Sequence, residues 1–407
     1  MSEIGDFGLI VLVIAGGVSL ALYGRAITER LAIPSAALFL VAAAVISDLV
    51  PRIHDEISFV TVERIGVVAL IVILFEGGLD IGWARFRSSA VPILSLGVLG
   101  TFASAALIAA AAHVLFDLSW ITSGMLGAAL APTDPAVTFS VLGGREIRGR
   151  TGTILKGESG ANDPVGIALM IGMIELATSD HGSFWSVVEE FAVEMAGGIA
   201  VGAAAAALLL PLMRRVTLPT PALYPLRVVA AAGVIYGAAT LVHGSGFLAV
   251  FVAGILIGDR PVPHRREIDE FLASIGSLAE IAMFVALGLT VDLTDVVDSG
   301  AWAEGLVLAV LLAFVIRPLV VGALLLPVRL GWGERLFVMW SGLKGAVPIL
   351  LASLALIAGV DDGTEIYGIV FVVVLFSVLV QGTFVPAVAA RLGVPIKRED
   401  ERQSSYE

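Results

Sequence analysis

The sequence predicts a polytopic, all-α membrane protein, and three observations predict it. Hydrophobic residues make up 58% of the 407-residue chain and charged residues only 15%, whereas soluble domains run nearer a quarter charged. Apolar runs of about 20 residues, each able to cross a bilayer core of about 30 Å, recur from end to end. These runs are continuous rather than alternating, which excludes a β-barrel. The net charge of −12 and the lack of a basic cluster exclude nucleic acid as a partner. With no cysteine, disulfide and thiol chemistry are absent, and no cofactor is expected.

Thirteen spans are expected, with no separate soluble domain. The first, 6–24, lacks a basic leader and a small-residue cleavage site and is read as retained. The second, 34–48, is short for a span; the third and fourth, 58–80 and 89–113, are long and apolar. The fifth, 119–142, is interrupted by Ala131-Pro132-Thr133-Asp134-Pro135, and the sixth, 152–177, contains Gly157-Glu158-Ser159-Gly160-Ala161-Asn162-Asp163-Pro164. The seventh, 184–213, opens with Glu189, Glu190 and Glu194, which suggests a wet or dimer-facing start. Its Gly197-Gly198 pair and its Ala203 to Ala207 run allow close helix packing. The eighth and ninth follow at 225–242 and 246–258, the ninth again short, and then the tenth at 268–290. The eleventh, 300–327, carries Arg317-Pro318; the twelfth, 335–359, is interrupted by Ser341-Gly342-Leu343-Lys344-Gly345-Ala346-Val347-Pro348; the last is 364–390, followed by a short polar tail at 397–407. His113 and His243 lie at span ends and read as interfacial.

Charge sets the orientation. With the N-terminus outside, the loops on the inner side and the tail hold twenty of the 24 Lys and Arg residues, and only Arg52 lies in an outer loop. By the positive-inside rule this places the N-terminus outside and the C-terminus in the cytoplasm. The outer loops are acidic, as at Asp292, Asp295 and Asp298 and at Asp361, Asp362 and Glu365. Such a mouth either concentrates cations modestly or is simply solvated.

The polar motifs carry the chemistry. Carboxylates at membrane depth are costly and persist mainly along ion paths or cavities. Two prolines around Asp134 break a helix, and open backbone is tolerated only beside protein or water. The broken fifth and twelfth spans are seven apart, so their directions are opposed. That pattern is the signature of an inverted-repeat transporter with two crossing discontinuous helices near the midplane. Half-helix N-termini are partially positive and C-termini partially negative, and Asp134 and Lys344 are placed to compensate them.

Taken in order and spacing, Phe75-Glu76-Gly77-Gly78-Leu79, Thr133-Asp134-Pro135, Gly157-Glu158-Ser159 with Asn162-Asp163-Pro164, Arg317-Pro318 and Gly342-Leu343-Lys344-Gly345-Ala346 resemble the monovalent cation:proton antiporters of the Na+/H+ exchanger type, in the NhaP-like branch that carries Asn-Asp on the sixth span. The resemblance covers nearly all the residues. It implies a homodimer, built as one transporter unit over residues 1–396; the few Lys against many Arg suggest a prokaryotic source and so an inner membrane. Scaffold spans at about 6–80 and 184–290 would flank mobile core spans at about 89–177 and 300–390.

It also implies roles. Asp163 is the ion-binding carboxylate, with Thr133 and Ser159 as further Na+ or K+ ligands and Asn162 and Asp134 in the same ion- and proton-binding group. Ser159 lies one turn before Asp163, and its hydroxyl either faces the ion or bonds a carbonyl one turn back. Asn162 stands where other branches carry a second Asp and would bridge to the open backbone near Thr133 and Asp134. Glu158 and Arg317 form a buried structural pair, and unwinding at Pro318 would expose carbonyls. Glu76 is either an ion ligand or an interfacial acid. Lys344 stands where many relatives carry Arg, a departure that puts fine geometry in doubt, not the transport class.

One buried carboxylate suffices for antiport. Proton and cation each neutralise the same charge, so they compete, and the Asn162 amide cannot titrate. One titrating group gives one proton per cation, which is electroneutral exchange of Na+ or K+ for H+ rather than an enzymatic activity. The wording of the sixth-span motif leans toward K+-handling relatives. The same fold class also serves symporters of small organic solutes, which is the rival reading. That reading wants a larger polar pocket than two carboxylate motifs and few cationic groups provide.

Overall fold

In the computed structural model the described residues are 34–50, 57–142, 145–147, 149–179 and 184–398, with Gly16 and Ser19. The rest of the expected first span and the tail beyond 398 lie outside them. Helix α1 (Ser35–Leu49) starts directly after Pro34. Helix α2 (Phe59–Leu94) is capped by the Ser58 hydroxyl and broken by non-helical backbone at Gly82 and Ser89. It therefore contains the expected third span, a bend and the start of the fourth.

The bend needs glycine. Gly82 has φ +66°, and a Cβ there would overlap the Asp259 carboxylate, which accepts the Ala84 N–H at 2.5 Å. A π-helical turn (Ser95–Gly100) then leads into α3 (Thr101–Phe116).

The fifth span is two half-helices, α4 (Trp120–Leu130) and α5 (Pro135–Ser140). They are followed by strand β1 (Arg145–Ile147) and the long α6 (Arg150–Thr178). Helices α7 (Phe184–Arg215), α8 (Leu223–Leu241), α9 (Gly246–Gly258) and α10 (Arg265–Gly288) come next, then the short α11 (Leu293–Asp298). The eleventh span is α12 (Ala301–Leu311), a second π-helical turn (Leu312–Ile316) and α13 (Arg317–Leu325). The twelfth is again two pieces, α14 (Trp332–Trp340) and α15 (Ala346–Ile357). The last is α16 (Gly363–Phe376), a third π-helical turn (Ser377–Gly382) and α17 (Thr383–Arg391), which leads to strand β2 (Ile396–Arg398).

Six described helices are long and apolar enough to cross a membrane, and α1, α4, α9 and α15 are shorter apolar helices. The strands β1 and β2 pair antiparallel, with Glu146 opposite Lys397.

Arg317 itself is helical. The expected unwinding at Pro318 is replaced by the wide turn just before it, which leads without a break into α13 with Pro318 in its first turn.

The connections sort by charge. At one end lie the β1–β2 ribbon, the Lys156–Asp80 pair, the Thr151–Glu334 bond of 2.8 Å and Arg214, which donates to the Pro261 carbonyl. At the other end the Thr122 hydroxyl meets Asp362 at 2.5 Å, Thr294 meets Asp48 and the Ser245 N–H reaches the Glu194 carbonyl. His113 at this end donates from Nδ1 to the Leu118 carbonyl at 2.6 Å and stacks on Trp120.

Packing is unusually close where glycines face backbone. A Cβ at Gly78 would stand 2.6 Å from the Phe251 carbonyl oxygen, and one at Gly254 2.7 Å from that of Phe75. Helices α2 and α9 therefore touch backbone to backbone, as small residues permit in membranes. Gly198 meets the Ser245 carbonyl of the α8–α9 turn, so the glycine pair of α7 seats it against that turn. Substituting Gly254→Leu should force α2 and α9 apart. The expected result is little or no monodisperse protein after detergent extraction; normal yield and melting temperature would show that the helices separate freely.

The apolar interior falls into two clusters. A smaller one joins Phe75 and Leu79 of α2 to residues of α7, α8, α9 and α10. A larger one includes α4, α6, α15 and α16.

Candidate functional site

The two chain breaks meet. In the first, Pro132 to Asp134 leave helical geometry; in the second, Ser341 to Gly345 do. The Asp134 N–H donates to the Leu343 carbonyl at 2.8 Å, one backbone segment against the other, and the Thr138 hydroxyl reaches the Ser341 carbonyl at 3.2 Å.

Each half-helix end finds a charge of opposite sign. The Asp134 carboxylate accepts the Ala136 N–H at 2.8 Å, capping α5, and lies against Gly345 beside the Ala346 N–H, which opens α15. One carboxylate thus serves two helix N-termini, where partial positive charge and unpaired N–H groups coincide. Lys344 does the reverse. Its ammonium, in a residue only 2% exposed, donates to the Ala131 and Pro132 carbonyls at 2.9 and 2.8 Å, at the C-terminal end of α4.

Close approach again depends on glycine. A Cβ at Gly345 would overlap the Asp134 carboxylate. Gly345→Ala should push that carboxylate off both helix ends. The expected outcome is at least a tenfold loss of transport with a lower melting temperature, given caps worth about 1 kcal/mol each; wild-type values for both would show that the crossing tolerates a methyl group.

Asp163 sits on α6 beside the first break. It is buried, and the charged groups that face it are Asp134 and Lys344. Its neighbour Asn162 donates from Nδ2 to the Thr133 hydroxyl at 2.9 Å. The anchor is thus the Thr133 side chain rather than open backbone. Asp163 Oδ1 and Asn162 Oδ1 are both buried and accept no hydrogen bond from any described residue. Ser159 is buried one turn earlier on the same helix. Small residues let the surroundings close in: Gly166 receives the Pro132 ring, and Gly160 lies under the Phe251 ring of α9.

A second buried charge group flanks this one. Arg317 donates to both carboxylate oxygens of Glu158, at 2.7 and 3.2 Å, and to the Val338 carbonyl. The guanidinium rests against Gly342, where any side chain would collide with it. Lys344 faces Arg317 and Glu158 as well as Asp163, so the two groups share one electrostatic neighbourhood.

Glu76 is placed elsewhere. Its carboxylate lies against Gly276 of α10, and the charges that face it are Asp80, Lys156 and Asp269, near the arginine-rich end. The structure therefore gathers Asp163, Asn162, Thr133, Ser159, Asp134 and Lys344, with Glu158 and Arg317 adjoining, and sets Glu76 apart. Two participants escaped the sequence reading. Ser377 accepts the Lys344 backbone N–H at 2.8 Å, and the Gln381 amide donates to the Trp340 carbonyl at 2.6 Å. The available signal was two polar residues one helical turn apart in an otherwise apolar last span.

Comparison with known proteins agrees with this fold. A family profile described as the transmembrane region of sodium/hydrogen exchangers matches residues 17–391. The K(+)/H(+) antiporter NhaP of Alkalimonas amylolytica is 32% identical over 397 residues, covering 96% of this chain and 68% of that protein. A K(+)/H(+) antiporter NhaP2 of Shewanella sp. strain ANA-3 is 33% identical, over 90% of this chain and 64% of that protein. The Na(+)/H(+) antiporter NhaH of Halobacillus aidingensis is 27% identical, over 88% and 92%. The chain thus spans about two thirds of the length of its K+/H+ relatives. Among solved structures, the sodium proton antiporter MjNhaP1 of Methanocaldococcus jannaschii superimposes with a TM-score of 0.78 over 96% of this chain, at 23% identity.

Proposed function

The chain belongs to the sodium/hydrogen exchanger family, and from that membership we propose that it is an integral membrane transporter exchanging a monovalent cation, Na+ or K+, for protons. The observation that supports this most directly is the pair of buried acceptor oxygens, Asp163 Oδ1 and Asn162 Oδ1, facing no donor among the described residues. Acceptors without donors suit a cation stripped of water. Burial disfavours the bare carboxylate, so Asp163 must hold either the cation or a proton. Thr133 and Ser159 complete the ligand set.

Because Asn162 cannot titrate and Asp134 is engaged at two helix ends, a single proton exchanges for a single cation. The spans at about 89–177 and 300–390 move as the core that carries Asp163, and those at about 6–80 and 184–290 serve as the scaffold and dimer platform. The arginine-rich end lies in the cytoplasm of a prokaryotic cell.

Flux in proteoliposomes tests this. With an imposed pH gradient and an internal pH dye, added Na+ or K+ should collapse the gradient, and clamping the membrane potential should leave the rate unchanged. No cation-dependent proton movement with either ion would refute exchange, and a rate that follows the clamped potential would refute the one-to-one stoichiometry.

A further inference from the structure

The sixth and the last spans are seven apart in order, as are the two broken ones, and each serves the break of its own repeat. On α6, Ser159 and Asp163 lie one turn apart, and the intervening Asn162 reaches Thr133 in the first break. On the last span Ser377 and Gln381 lie four residues apart within a π-helical turn; Ser377 reaches the second break and Gln381 the last residue of α14 before it. All four side chains are buried. The two sets differ in charge: the second repeat holds an amide where the first holds the carboxylate Asp163. π-helical turns gather at functional positions because the extra residue re-aims side chains. Here the turn presents hydroxyl and amide to the second break and to the end of α14 that leads into it, and the Ser377 hydroxyl also leans on the Gln381 carbonyl oxygen at 3.4 Å.

We infer that Ser377 and Gln381 are positioning residues for cation binding, the uncharged counterpart of the Asp163 group, and that they act through Lys344. The chain of contacts is continuous. Gln381 holds the end of α14 at Trp340, and Ser377 holds the backbone N–H of Lys344. Lys344 then fixes the Ala131 and Pro132 carbonyls. The next residue is Thr133, to which Asn162 is bonded. Removing either anchor leaves an unpaired backbone group in the second break or at the end of α14 that leads into it. The Lys344 ammonium then shifts relative to the carbonyls that set the Thr133 position. The cation site loosens although no ligand has been changed.

This inference rests on the exchange function proposed above. Its test is the proteoliposome assay with Ser377→Ala, which deletes one atom, and Gln381→Met, which keeps bulk and removes the amide, beside wild type and Asp163→Asn. The half-saturating cation concentration should rise about five- to tenfold in each variant, the loss of one buried hydrogen bond. Maximal turnover per monodisperse protein should stay within about twofold. A purely structural role would lower yield or melting temperature and leave half-saturation unmoved, which overturns the inference, as do two variants indistinguishable from wild type. Should Gln381→Met fail to fold, Ser377→Ala decides alone. Absence of exchange in wild type overturns the functional reading itself, and this inference with it.

Discussion

Asp163→Asn abolishes exchange and leaves a well-folded protein: this is the largest functional effect expected of any single substitution here. The amide occupies the same volume as the carboxylate in a site that is already buried. It removes a charge that costs free energy to bury and breaks no hydrogen bond at Oδ1, which has none. Monodispersity should therefore be unchanged and the melting temperature equal to or above that of wild type. Transport fails for a separate reason. An amide takes up no proton, and without the negative charge of Asp163 the site no longer neutralises a bare cation. A second readout is independent of flux. If wild type binds the cation, saturating salt of that cation should raise its melting temperature by mass action beyond a choline control, and Asp163→Asn should show no such increment. Exchange at the wild-type rate by the variant would remove Asp163 from the mechanism.

The largest expected effect on stability comes from the Glu158–Arg317 pair. Both residues are buried and joined by two hydrogen bonds, and removing one member of such a pair costs about 3–5 kcal/mol, because the other is left uncompensated. The neighbourhood makes the two losses unequal. Lys344 faces both members, so Glu158→Ala leaves two cationic groups side by side without the anion between them. Arg317→Met leaves Glu158 with Lys344 as a remaining partner. Glu158→Ala should therefore melt lowest, Arg317→Met less low, and the double variant above Glu158→Ala. Melting curves in one detergent check the order, and a double variant at or below the lower single one would mean that the pair does not act as a unit.

Much of this was legible in the sequence, and for an identifiable reason. Charge, proline and glycine inside apolar runs are conspicuous, so the breaks at Pro132 to Pro135 and at Gly342 to Gly345, and the residues Asp163, Asn162, Glu158, Arg317 and Lys344, stand out against the background. What stayed hidden depends on three-dimensional approach. Nothing in the local sequence says that Asp134 caps a second helix 200 residues away, since that contact exists only once the two breaks cross. The π-helical turns at Ser95, Leu312 and Ser377 leave no periodic mark, because one added residue is lost within a uniformly apolar run. The bend at Gly82 was read as a loop between spans, but the chain remains largely helical through it to Leu94. The β1–β2 ribbon pairs segments some 250 residues apart and too short to show alternation.

The double service of Asp134 bears on how such a chain can be divided. Repeats that arise by duplication begin as self-sufficient halves, but these two have exchanged essential groups. The N-terminus of α15 in the second half is met by a carboxylate from the first, and the Ala131 and Pro132 carbonyls in the first depend on an ammonium in the second. A fragment ending in the α10–α12 connection would expose those two carbonyls, and its complement would carry an uncapped α15. Neither piece should persist when produced alone. Produced together in one cell, they should rescue each other from degradation, because each carries what the other has lost the means to supply.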